Sequence, residues 1–343
     1  AEPTETGRSW RAAALGLAAT TSVLLVALVG TLLSGSREQL GIERFRVLEA
    51  GERTSRTSGP DIAISRDGSV ILFRGVCGEG GTQLCLRRLG RLGAEPLPGT
   101  TDARTPVLSP DESEVAFYQG GILRTVDLTG GDPFTVLSEG IRDRGIAWDD
   151  SGMLYYAAQD GGIGAVPATS GSPRVVATPE STDRLESPEV LPGGAGLLFT
   201  VVRRTESDRI GGRAGPTDQI AVKPTSGDSY LVLFDGARAR YLPGGYLVFA
   251  TEDGTLWAVG FDLEDLVPTG DPSRVAEGLE VGEDFALSES GDLIYAQRGS
   301  TTERELVWVD RDGVEEPLEP PWKGPFSAPR LSPDGTRVAV QVS

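Results

Sequence analysis

Residues 106–118 read PVLSPDESEVAFY, a Ser-Pro-Asp turn running into an apolar strand, and the same unit recurs six more times along the chain. Clear copies are IAISRDGSVILF at 62–73 and PRLSPDGTRVAV at 329–340. Degenerate copies are IAWDDSGMLYYA at 146–157, VLPGGAGLLFT at 190–200, YLPGGYLVFA at 241–250 and ALSESGDLIYA at 286–296. Measured at Asp67, Asp111, Ser151, Gly193, Gly244, Ser290 and Asp334, the spacings are 44, 40, 42, 51, 46 and 44 residues. A period in this range is that of a four-stranded propeller blade.

The turn chemistry explains the first half of each unit. Proline fixes φ, the aspartate caps the turn through its side chain, and glycine accepts a positive φ, so the tetrad reverses the chain between two strands. The second half is a roughly alternating strand, as in GILRTVDLTGGDPFTVL at 121–137, followed by a glycine-containing turn and a fourth strand. Related stretches begin at Gly161, Asp218, Gly254 and Arg304. Four strands per repeat without an intervening helix predict an all-β propeller. Trp148, Trp257, Trp308 and Trp322 fall in or beside strand positions, where aromatic rings wedge between neighbouring sheets; stacking on carbohydrate is the alternative use. The polar, glycine-rich stretch 203–218 in the longest spacing reads as an extended rim loop.

Composition narrows the chemistry. The 343 residues include 46 Gly and 23 Pro, in keeping with many short strands and tight turns. With 32 Lys and Arg against 50 Asp and Glu the formal charge is −18, which repels a phosphate backbone and argues against nucleic-acid binding. There is no histidine, so the chain itself holds no Ser-His-Asp hydrolase site, no Cys-His pair and no His-ligated metal. Two cysteines are too few for a thiolate zinc cage. No catalytic, cofactor-binding or metal-ligating residue is nominated, and no cofactor is expected. The turn aspartates Asp67, Asp111 and Asp334 are explained by their turns without invoking calcium.

Residues 12–33, AAALGLAATTSVLLVALVGTLL, form an uncharged run long enough to cross a bilayer as an α-helix. Arg8 and Arg11 precede it and Arg37 follows, favouring a cytoplasmic N-terminus and an extracytoplasmic remainder. A cleaved signal peptide is the rival reading, opposed by the length of the run and the lack of an A-x-A site. The expected organisation is a juxtamembrane linker at 1–11, a transmembrane helix at 12–33, a linker at 34–44 and a propeller from 45 to 343.

The glycine strings GEGGT at 78–82 and GGIG at 161–164 complete no phosphate-binding signature and read as hairpin turns between second and third strands. Cys77 and Cys85 flank the first of them. With Gly81 at the tip, the two cysteines face each other across the hairpin, close enough to bridge in an oxidising compartment. The alternative is a pair of small buried hydrophobes.

Three longer strings, LSPDESEVAFYQGGILRTVDLTGGDP at 108–133, ARYLPGGYLVFATEDGTLWAVGFDL at 239–263 and RELVWVDRDGVEEPLEPPWKGPFSAPRLSPDGTRVAV at 304–340, carry a resemblance to a family. The chain resembles the TolB-like (WD-related) β-propeller that follows the membrane helix in bacterial transmembrane serine/threonine protein kinases. The resemblance runs from residue 12 to the end. It implies a cytoplasmic kinase domain ahead of residue 1, since no kinase motif lies within this sequence, and further strands beyond residue 343. Six complete repeats plus a seventh start exceed the six blades of TolB. The expectation is therefore seven or eight blades in the full protein, with an open ring and unpaired strand edges here.

The function this implies is a non-catalytic, membrane-anchored sensor or protein-interaction domain of the bacterial inner membrane, its propeller in the periplasm. Its partner would be a protein, peptide or envelope polymer. A stand-alone periplasmic TolB-like envelope protein is the second reading. The propeller of a prolyl-oligopeptidase-type hydrolase is the third, and it would need a Gly-x-Ser-x-Gly domain and a histidine from outside this sequence.

Overall fold

Apolar residues on the middle strands must bury two faces, and the chain does so by stacking small sheets around an axis. The computed structural model describes residues 53–54, 61–78, 81–203, 218–279 and 285–295, with strand segments between 304 and 342. All of these belong to one compact unit, residues 48–343. The expected transmembrane helix at 12–33, the core of the rim loop (204–217), Trp322 and Asp334 lie outside the described residues. No helix among the described residues is long and apolar enough to cross a membrane.

Five antiparallel blades follow one another, four strands deep, the first with two short segments sharing its inner edge. In the first, β1 (Arg53–Thr54) and β2 (Ile62–Ile64) share the inner edge of β3 (Val70–Val76), which pairs β4 (Gln83–Arg88) and then β5 (Glu95–Pro96). The second comprises β6 (Arg104–Leu108), β7 (Glu114–Gln119), β8 (Ile122–Asp127) and β9 (Phe134–Leu137). The third comprises β10 (Ile141–Trp148), β11 (Met153–Ala158), β12 (Ile163–Pro167) and β13 (Arg174–Ala177). The fourth comprises β14 (Arg184–Val190), β15 (Gly196–Val202), β16 (Gln219–Pro224) and β17 (Leu231–Asp235). The fifth comprises β18 (Ala237–Leu242), β19 (Tyr246–Ala250), β20 (Thr255–Asp262) and β21 (Val267–Glu277). A sixth position holds the pair β22 (Phe285–Leu287) and β23 (Leu293–Tyr295).

The blade count corrects the expectation from sequence. Inner strand β22 lies against both β18 and β2, so six inner strands close a ring where an open one was expected. At the seam the Glu289 N–H donates to Arg66 O at 2.9 Å. Asp292 is packed so tightly on Gly68 (φ 77°) that a β-carbon there would overlap its carboxylate. The seventh turn-and-strand unit forms its own hairpin, Phe326–Leu331 with Val338–Val342.

The core sits between blades. Strand β15 sends Leu198 toward the fifth blade, to Leu247 and Phe249. Its neighbours Leu197, Phe199 and Val201 face the third blade, with Ile163 and Ala177. Val115 and Phe117 on β7 likewise pack with Leu72 and Leu84 of the first blade, and Ala116 with Leu154 of the third. This is the period-2 alternation of a strand buried on both faces, which makes each middle strand nearly all apolar.

The turns follow the chemistry read from sequence. Asp67 Oδ1 accepts from Ser65 Oγ at 2.7 Å and from the Ser69 N–H at 2.9 Å. Those bonds, the one from Ser65 first, hold the Asp67 carboxyl down at about 2. Ser109 Oγ donates to Asp111 at 2.6 Å in the same way; there Glu112 takes the left-handed conformation (φ 59°) that glycine fills elsewhere.

Candidate functional site

Six inner strands surround a channel, and a cavity of about 230 Å³ opens where their C-terminal ends meet the turns. A second, of about 190 Å³, adjoins it. Aligning the turn copies shows how the wall is built. The residue two positions before the turn serine or its equivalent is Ala63, Val107, Ala147, Glu189, Arg240 and Ala286 in successive blades, and all six line the larger cavity. Four small apolar groups thus share a ring with one oppositely charged pair. Arg240 Nη1 donates to Glu189 Oε2 at 2.6 Å, with only 18% and 24% of their side chains exposed. Burial in the wall pushes the Glu189 carboxyl up, and its pairing with Arg240 pulls it back.

Toward the other end of the inner strands, charges step from blade to blade. Thr105 and Arg104 of the second blade bond Asp143 of the third. Arg142 of the third blade reaches Glu186 of the fourth at 2.9 Å and the Leu185 carbonyl at 3.2 Å, while Arg144 approaches Glu186 at 3.5 Å. Burial draws the Arg142 guanidinium down, opposed by Glu186. A β-bulge at this level places Thr105, Ser187 and Arg238 at φ 53°, 53° and 54°. In the third blade the equivalent residue is Gly145 (φ 105°), on which a β-carbon would stand 2.6 Å from Ser187 Cα. Glycine there lets two inner strands approach.

At the turn end, Arg66 spans the mouth. Its Nη2 lies 2.6 Å from Asp150 Oδ1 of the third blade and its Nε 3.2 Å from Glu289 Oε1 of the sixth. The Arg66 backbone N–H donates to Glu112 Oε1 of the second blade at 2.7 Å. The hydrogen bond to Asp150 raises the Arg66 guanidinium further. Trp148 lines the larger cavity while packing against the third-blade core, so its wedge role is combined with exposure to the channel. Trp257 packs on the core between fourth and fifth blades and donates from Nε1 to Thr251 Oγ1. Trp308 lies on a described strand, Val307–Val309.

Cys77 and Cys85 are bonded, with Cα atoms 6.0 Å apart, and both are buried in the first blade away from the channel. Their arrangement differs from the facing pair expected. The β3–β4 register sets Cys85 opposite Phe73, and Cys77 lies just past the end of β3.

The charged groups of this candidate site that the sequence does not single out by motif are Arg66, Glu189, Arg240, Arg142 and Glu186. The first three were legible in principle, because registering the turn copies exposes the charged outliers. Among the described residues no group of three or more metal-ligating side chains is placed to hold an ion.

No protein-family model matches the chain, and no curated protein matches it. Among solved structures it is similar to a TolB of Agrobacterium tumefaciens, at 19% identity and a TM-score of 0.51, covering 69% of this chain and 89% of that one. A TolB of Acinetobacter baumannii aligns at 14% identity and a TM-score of 0.47, covering 62% and 55%. An oligogalacturonate lyase of Vibrio parahaemolyticus aligns at 10% identity and 0.46, covering 74% and 90%. The fold is a TolB-like β-propeller.

Proposed function

We propose that this propeller is a non-catalytic docking and sensing domain that seats a polypeptide at the turn-side mouth of its channel. The observation that carries this reading is the mouth itself: an open cavity where apolar and polar surface mix, crossed by ion-paired side chains from five blades. Apolar side chains together with convergent polar groups suit binding. The sequence lacks the histidine that most acyl-transfer sites would require. Rigid strands present loops at one rim, the usual arrangement for recognition on a propeller.

In this reading residues 12–33 anchor the protein in the bacterial inner membrane, the propeller is periplasmic, and a serine/threonine kinase domain precedes residue 1. The Cys77–Cys85 bridge supports an oxidising compartment. The likeness to the Agrobacterium TolB favours a second reading, a stand-alone periplasmic envelope-interaction protein. Reading the gene upstream of residue 1 separates them. Kinase motifs there support the receptor; a start codon a few residues upstream removes it and leaves the stand-alone module.

A further inference from the structure

We propose that the mouth recognises a basic side chain of the docked polypeptide, a lysine or arginine that takes the place Arg66 now holds. The inference deepens the docking reading and rests on it.

Arg66 is the single cation at its position in the ring. The equivalent residues are Pro110, Asp150, Pro192, Pro243 and Glu289, so this position in the ring is otherwise proline and carboxylate. Groups from the second, third and sixth blades converge on that one residue through Glu112, Asp150 and Glu289. The chain therefore displays a guanidinium already seated in a site built from several blades. Without the guanidinium, Asp150 and Glu289 would each lose an ion pair, while Glu112 would keep its bond from the backbone N–H.

The seat is easily vacated. Arg66 and Asp150 are 47% and 78% exposed, and ion pairs this open contribute little to stability. An incoming cation would exchange one such pairing for another. It would also meet the apolar side chains Ile64, Val190, Leu287 and Tyr241 of the adjoining cavity, which Arg66 itself lines. Apolar walls beneath a charged rim match a lysine or arginine, whose aliphatic stem packs while the head stays at the polar edge. Tyr241 and Trp148 add aromatic surface of the kind cations favour. The formal charge of −18 steers cations toward the molecule.

The test uses two fluorescein-labelled nine-residue peptides, alike except for a central arginine or its neutral near-isostere citrulline, titrated by anisotropy into the full chain. The intact protein should prefer the arginine peptide. Arg66→Ala should strengthen arginine-peptide binding by about tenfold while leaving the citrulline peptide unchanged, and adding Glu289→Gln should reverse the gain. Arg66→Lys, which keeps the charge, should behave like the intact protein and controls for folding. Equal binding of the two peptides, or no response to Arg66→Ala, overturns the proposal. If polypeptide cross-links form at the mouth in cells but the arginine preference is absent, docking stands and only the basic-residue specificity falls. If no cross-link forms, docking itself fails.

Discussion

Arg240 Nη1 lies 2.6 Å from Glu189 Oε2 and joins the fourth and fifth inner strands across the channel wall, at a level where the other four blades present Ala or Val. Removing one partner leaves a poorly solvated charge, whereas removing both restores the wall found elsewhere in the ring. Glu189→Ala or Arg240→Ala alone should therefore cost about 2–3 kcal/mol. The double substitution should lie within about 1 kcal/mol of the parent, or above it. Urea denaturation of the four proteins gives the cycle.

Gly145→Ala meets two penalties at once. The backbone is left-handed at φ 105°, and the new methyl group would fall 2.6 Å from Ser187 Cα. A loss of at least about 2 kcal/mol is expected. Gly140 is also left-handed (φ 78°), but a β-carbon there meets nothing within 4 Å. Gly140→Ala should thus lose only the conformational part, about 1 kcal/mol.

The turn carboxylates set the acid limit. Asp67 is held at about 2, and Asp111 below its ordinary value of 3.8 chiefly by Ser109. A depressed folded value means stability is present above the unfolded pKa and is lost as pH falls through the folded one. The melting temperature should drop as pH falls from about 4 toward about 2, and less steeply in Asp67→Asn/Asp111→Asn. Glu189 has the opposite sign. Raised by burial from 4.5, it contributes stability below that value that is lost as pH rises through its folded pKa.

Opening the Cys77–Cys85 bridge by Cys77→Ala/Cys85→Ala releases a short loop, eight residues apart in sequence. A chain-entropy argument gives a loss of about 2–3 kcal/mol. Thiol titration of the unreduced, denatured parent should find no free thiol; two would remove the bridge.

The fold could be read from its turns because Ser-x-Asp-Gly dictates a local reversal whatever surrounds it, and the period between reversals is the length of a blade. Ring closure was not legible in that way. Spacing fixes how much chain a blade uses but not the angle between blades. That angle depends on contacts such as Asp292 on Gly68 and Gly145 on Ser187, made by residues more than 40 positions apart. The cysteine pair was found for a reason only half right, since the register places Phe73 opposite Cys85. The channel charges were hidden because Glu189 and Arg240 sit in strands that otherwise alternate normally, and only comparison across blades singles them out.

Docking at the turn-side mouth is the central claim, and site-specific photo-cross-linking tests it most directly. A photoreactive residue would replace Leu108 in the cavity wall, or Leu231, 54% exposed on the outer strand β17, in the full chain within its producing cells. A discrete polypeptide adduct from position 108 and none from 231 is the predicted result. Adducts from 231 alone, or from neither position, would contradict it.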